Sequence, residues 1–108
     1  MRSKVPEYAV GELVIYRKAK ASPHPGPRAT DIRPSEQGED YLYEVDKFWR
    51  VVDLPDPEHV TCVTRTGKLH VILRDDPCLR KASWWERWRY RERFPKPELL
   101  AAVGVSHH

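Results

Sequence analysis

Tyr41-Leu42-Tyr43-Glu44-Val45-Asp46-Lys47-Phe48-Trp49-Arg50-Val51-Val52-Asp53-Leu54 reads as one long β-strand, rich in aromatic and β-branched residues. Successive side chains of a strand point to opposite faces. Tyr41, Tyr43, Val45, Trp49 and Val51 share one parity, and Leu42, Phe48, Val52 and Leu54 share the other. The apolar set therefore changes sides near Asp46-Lys47, and a bulge or strong bend is expected there. Pro55-Asp56-Pro57 ends the strand, because proline brings no donor to a ladder.

Downstream, residues 59–66 and 69–74 read as a hairpin about Thr66-Gly67. A two-residue turn there pairs Val60 with Leu73, Cys62 with Val71 and Thr64 with Leu69 on a core face. Thr61 then opposes Ile72, and Val63 opposes His70, on the other face. Arg65 and Lys68 fall opposite each other at the tip, where like charges cost stability unless solvent or an anionic partner relieves them. Upstream, Glu12-Leu13-Val14-Ile15-Tyr16-Arg17 reads as a strand set off by Gly11. Residues 19–40 read as a long loop, since Ser22-Pro23-His24-Pro25-Gly26-Pro27-Arg28 excludes helix and central strand.

Residues 77–94 read as a helix, with Asp76 as N-cap, Pro77 at the first helical position and Pro95 as the stop. In helical projection Leu79, Ala82, Trp85, Tyr90 and Phe94 share a broad face. Trp84 and Trp88 lie on another side, beside a stripe of Arg80, Arg87 and Arg91.

These elements predict a mainly β fold: a small antiparallel barrel with a long early loop and a C-terminal α-helix. The opening Tyr8-Ala9-Val10-Gly11-Glu12-Leu13-Val14-Ile15-Tyr16 resembles the first strand of SH3-like barrels. It is similar to the aromatic-x-x-Gly-acid-x-Val-x-Tyr start of KOW, Tudor-like and CarD-type modules. The chain departs at Arg17-Lys18-Ala19, where the CarD-type pattern has proline and then glycine. The resemblance implies an SH3-like barrel, of which many act in transcription, translation or chromatin. Ser22 to Ala29, Val45 to Trp49 and Trp84-Trp85-Glu86-Arg87 are also similar to stretches of short uncharacterised bacterial proteins, which imply no mechanism. The chain divides into an N-terminal extension (1–6), the barrel with its helix (7–95) and a C-terminal tail (96–108).

The 108 residues fit a single domain, and a hydrophobic fraction of 40% supports a modest core. The longest apolar run, Leu99 to Val105, is interrupted by Gly104 and falls far short of the ~20 residues of a membrane span. Residues 1–6 carry no apolar signal region, and two cysteines, Cys62 and Cys78, make no disulfide framework, so a cytoplasmic location is expected. The net charge is +3, and the charge is segregated in blocks. Residues 17–33 carry Arg17, Lys18, Lys20, Arg28 and Arg33 against Asp31. Residues 34–46 carry only acids, and residues 80–93 carry six bases against two acids.

Catalytic chemistry finds little footing. No His or Cys pair has CxxC or HxxxH spacing, and no metal or other cofactor is expected. Cys62 reads as a small buried hydrophobe that diverges from His70. Ser22 and His24 lack an elbow to present them as nucleophile and base. A small hydrolase or nuclease would draw on Glu39, Asp40 and His24, but with Gly38 among the acids these read as a solvated turn. The glycines form no phosphate fingerprint.

Anion binding fits best. Arginine forks suit phosphates, and aromatic faces stack bases. The expected nucleic-acid-binding residues are Lys18, Lys20, Arg28, Arg65, Lys68, Arg80, Arg87 and Arg91, with Trp84 and Trp88 alongside. The expectation is a non-enzymatic module that binds DNA or RNA, or a ribonucleoprotein, mainly through phosphates. The alternative is a protein-interaction module or homodimer that uses the Trp-rich helix and Pro-rich loop. No membrane partner is expected.

Overall fold

A computed structural model of the chain describes residues 6–34 and 41–98. Strand β3 (Tyr41–Asp56) is the spine of the fold. On one side it pairs with β1 (Leu13–Ser22), in a continuous antiparallel register from Leu13↔Arg50 to Ser22↔Tyr41. On its other side β2 (Thr30–Pro34) covers the start of β3, and β4 (His59–Val63) covers its end. Strand β5 (Leu69–Leu73) extends the sheet beyond β4, and β6 (Leu79–Lys81) extends it beyond β1. The order is β5-β4-β3-β1-β6, with β2 paired to β3.

The fold is mainly antiparallel β with one short C-terminal helix, α1 (Trp84–Arg89). The end strands β5 and β6 do not pair, so the sheet is not closed into a barrel. Instead, a core lies on each face. Tyr8, Val14, Trp49, Val51, Val60, Cys62 and Leu79 form one cluster. Ile15, Phe48, Ala82 and Phe94 form the other, with Leu13 and Tyr90 against it. Each fully buried aliphatic or aromatic side chain contributes about 1.5–3 kcal/mol, so a sheet covered on both faces needs no closure to bury its apolar residues.

Two covered faces also explain the change of parity along β3. No bulge occurs at Asp46-Lys47 against β1, where Arg17↔Asp46 and Tyr16↔Lys47 continue the regular register. Trp49 and Val51 enter one core and Phe48 the other, so apolar residues appear at both parities without any slip. The irregularities of β3 lie against β4, between Val51 and Asp56.

The hairpin differs from expectation by one residue. Cys62 pairs with His70 and Val60 with Ile72, around a loop of Arg65, Thr66 and Gly67. Thr64 N–H donates to the Lys68 carbonyl at 2.8 Å, and Gly67 N–H donates to the Thr64 carbonyl at 3.0 Å. Gly67 takes a left-handed φ of 98°, which glycine adopts at little cost and which sets the longer loop. A one-residue slip turns every side chain over. Cys62 and His70 therefore share a face, and Leu69, Val71 and Leu73 point outward, exposed on the edge strand.

The long helix expected over 77–94 is a strand, a corner and a shorter helix. Asp76 does cap, but it caps a turn: its Oδ1 accepts from Cys78 N–H at 2.8 Å and its carbonyl from Leu79 N–H at 3.0 Å. The chain then fills the free edge of β1, with Tyr16↔Leu79 and Val14↔Lys81, and this ladder outweighs the helical pattern. Helix α1 starts only after Ser83, its N-cap, whose side chain and that of Glu86 form a capping box. The long early loop is likewise shorter, because β1 runs on to Ser22 and β2 begins at Thr30. Residues 35–40 of that loop, residues 1–5 of the extension and residues 99–108 of the tail lie outside the described residues. Among the described residues no helix is long and apolar enough to cross a membrane.

Candidate anion-binding notch

Between Glu44, which pairs with β2, and Arg50, which pairs with β4, the outer edge of β3 has no strand partner among the described residues. The gap forms a cavity of about 410 Å3. Its floor is Val45 to Trp49 of β3. Lys18 of β1 and Arg28 of the proline-rich turn stand on one side. Thr64, Arg65, Thr66, Lys68 and His70 of the hairpin stand on the other, and Arg93 reaches in from the segment after α1.

The backbone contributes as well. Val51 turns its N–H to Glu12 (2.9 Å) and its carbonyl to Gly11 (2.7 Å), towards β1. Strand alternation then turns the N–H and C=O of Phe48 and Asp46 towards the notch.

Charge is concentrated there. Lys18, Arg28, Lys47, Arg65, Lys68 and Arg93 line the cavity against a single carboxylate, Asp46. Asp46 is engaged by Arg17, whose Nε lies 3.2 Å from Oδ1 and whose Nη1 also reaches Glu44 at 3.1 Å. None of the six lining cations forms an ion pair among the described residues. The Lys47 ammonium is pushed below its ordinary range by burial and then by Lys20, Lys18 and Arg28. Burial, followed by Arg28, likewise lowers Arg93. Arg93 also lies over the Phe48 ring, 4.1 Å from its centroid.

An aromatic stack borders this charge. Tyr16 and Trp49 are parallel within 9°, with centroids 4.9 Å apart, and Trp49 and His70 are parallel within 4° at 4.7 Å. Tyr16 anchors the inner end by donating its hydroxyl to Asp76 at 3.2 Å.

The structure thus brings Lys18, Arg28, Arg65 and Lys68 together, with Lys20 beside Lys47. It does not bring the helix residues there. Arg80 is bound bidentately by Glu86 at 2.7 and 2.8 Å, because the corner before α1 sets the two side by side. Arg91 folds over the Trp88 ring and donates to the Trp88 carbonyl at 2.7 Å. Trp84, Arg87, Trp88 and Arg91 line neither the notch nor the smaller cavity beneath Arg28 and Tyr90. Sequence reasoning missed Lys47, Trp49, His70 and Arg93. A signal for Lys47 existed, since it lies on the same face of the sheet as Lys18 and Lys20 once β1 and β3 are aligned.

Other chemistry-bearing groups are engaged locally. Ser22 Oγ accepts from the His24 backbone N–H at 3.1 Å, which makes a turn rather than a nucleophile–base pair. Asp56, Glu58 and His59 lie close together, but Asp56 Oδ1 accepts from both backbone N–H groups and contacts His59 Nδ1 at 2.9 Å, closing its own turn. Burial pushes the Cys62 thiol up to about 12 and so keeps it protonated. Glu39 and Asp40 lie outside the described residues.

No protein-family model, curated protein or solved structure matches the chain.

Proposed function

We propose that the chain is a non-enzymatic, cytoplasmic module that binds nucleic acid, or the nucleic-acid surface of a ribonucleoprotein, by seating phosphates in the notch. The observation that carries this reading is the set of six cations around one carboxylate that Arg17 already engages. Those cations come from β1, the proline-rich turn, β3, the hairpin tip and the segment after α1, so only the fold unites them. Gathering like charges opposes folding, and an anionic ligand relieves that repulsion. Guanidinium forks and ammonium groups suit phosphate oxygens, and the open backbone of β3 adds N–H donors.

A polyanion bound in this way releases counterions. If the cations neutralise about four to six phosphates of a single strand, the slope of log K against log salt is about −3 to −4. Fluorescence anisotropy of a labelled oligonucleotide across a salt series measures that slope. Absence of binding at low salt, or an affinity indifferent to salt, overturns the proposal.

One observation favours a second reading. Trp84 is 76% exposed and Trp88 67%, a ridge of indole on α1 that a second copy of the chain would cover. Light scattering over a concentration series decides it: a dimer lost on combined Trp84→Ala and Trp88→Ala supports this reading, and a monomer at every concentration excludes it.

A further inference from the structure

We infer that the occupant of the notch is a single strand, with one base stacked on the outer face of His70 and the adjoining phosphates held by Lys68 and the cations across the floor. The inference rests on the nucleic-acid reading and narrows it to unpaired strands.

The Tyr16–Trp49–His70 stack has an inner and an outer end. Trp49 lies between its partners, because β1 and β5 are on opposite sides of β3 in the sheet order, so both of its faces are occupied. Tyr16 packs against the core and is tied to Asp76. His70 is the end ring, half-buried, on the last strand of the sheet and on the wall of the notch. A planar ring on the face of His70 turned away from Trp49 would extend an existing parallel stack.

The neighbouring charges have the spacing a nucleotide needs. Lys68 and His70 are two residues apart and both line the notch. At about 3.3 Å per residue they stand roughly 7 Å apart, comparable to the reach from a base to the phosphate of its own nucleotide. Lys47, on the floor, faces them from β3. The interior bases of a duplex cannot use this arrangement, since each is already stacked between its neighbours on both faces. Along its length a duplex can only lay phosphates across the rim. Stacking on an aromatic ring reads no base identity, so little sequence preference is expected.

The test uses the full chain with fluorescein-labelled dT12, rU12, a 12-base-pair DNA duplex and a dT12 in which abasic sites replace the bases, all at one salt concentration. Unpaired strands are expected to bind at least tenfold more tightly than the duplex. The abasic strand is expected to lose roughly five- to a hundredfold, as aromatic truncation does at stacking sites. His70→Ala should lose the same factor on the unpaired strand with an unchanged salt slope, and His70→Phe should restore it. The tighter of dT12 and rU12 names the sugar, and the proposal is judged on that strand. Equal affinity for strand and duplex, or for intact and abasic strands, overturns the inference while leaving the phosphate reading standing. Failure of every oligonucleotide to bind overturns both. The abasic comparison uses the unmodified protein, so it holds even where His70→Ala does not fold.

Discussion

Replacing Glu86 by glutamine removes one charge from the Arg80 pair and keeps the capping geometry, because glutamine also serves at the third helical position. The Glu86 carboxylate is buried, takes both Arg80 Nη groups at 2.7 and 2.8 Å, and accepts from Ser83 N–H at 3.0 Å. The Arg80 hydrogen bonds come first among the causes that hold its pKa down from 4.5 to about 2, against the opposing push of burial. That depression corresponds to roughly 3 kcal/mol of linkage. The Arg80 side chain is 52% exposed and screened by solvent, so about 2 kcal/mol is the expected loss. The sign follows from the direction of the shift. A carboxylate whose folded pKa is depressed stabilises fully above its unfolded pKa, and the contribution fades as pH falls through the folded value. Glu86→Gln should therefore lower the urea midpoint at pH 7, and the gap to wild type should close between about pH 4.5 and pH 2. In a thermal melt the loss at pH 7 amounts to roughly 10 °C for a domain of this size. Equal urea midpoints at pH 7, or a gap that stays constant down to pH 2, would refute the reasoning.

Iodoacetamide at pH 8 should label the folded chain once, at the exposed Cys78, and reach Cys62 only in denaturant, because that thiol is buried and pushed up to about 12; two labels at equal rates would contradict this. Tyr8→Phe should raise stability by about 1 kcal/mol in urea melts, because the buried Tyr8 hydroxyl has no partner among the described residues; a lowered midpoint would show that the hydroxyl is satisfied. Gly67→Ala should cost about 1 kcal/mol through its left-handed φ of 98° alone, since nothing lies within 4 Å of the added carbon; an unchanged midpoint would remove the argument for the hairpin loop.

The strands that bury β-branched and aromatic residues were legible. Leu13 to Arg17, Tyr41 to Leu54 and the two arms of the hairpin carry their own pattern. The second half of β1 and all of β2 carry none. Lys18, Ala19 and the five residues of β2 are exposed, and only the ladder to β3 holds them extended. The segment from Leu79 to Phe94 failed for the opposite reason. Its apolar residues suit a helical projection, yet Leu79 enters one core while Ala82 and Phe94 enter the other. A sequence periodicity cannot distinguish one helix face from two faces of a sheet.

The same limit governs the site. The basic character of Lys18, Arg28, Arg65 and Lys68 was visible, but which cations converge depends on register. Lys47 belongs to the notch because Tyr16 pairs with Lys47 in a continuous ladder. His70 joins Trp49 because the hairpin loop is one residue longer than a tight turn. Arg80 stands apart from the notch because its carboxylate partner, Glu86, comes alongside through the corner between β6 and α1.

Two charge reversals compared side by side test the notch most directly: Lys47→Glu with Lys68→Glu, against Arg87→Glu with Arg91→Glu, each titrated with labelled dT12 at two salt concentrations. The notch variant should lose at least tenfold in affinity and flatten the salt slope by about 0.7 for each phosphate contact removed. The helix variant should stay within about twofold of the wild type, since Arg87 and Arg91 lie outside the cavity. Unchanged binding by the notch variant, or a loss confined to the helix variant, would contradict the account.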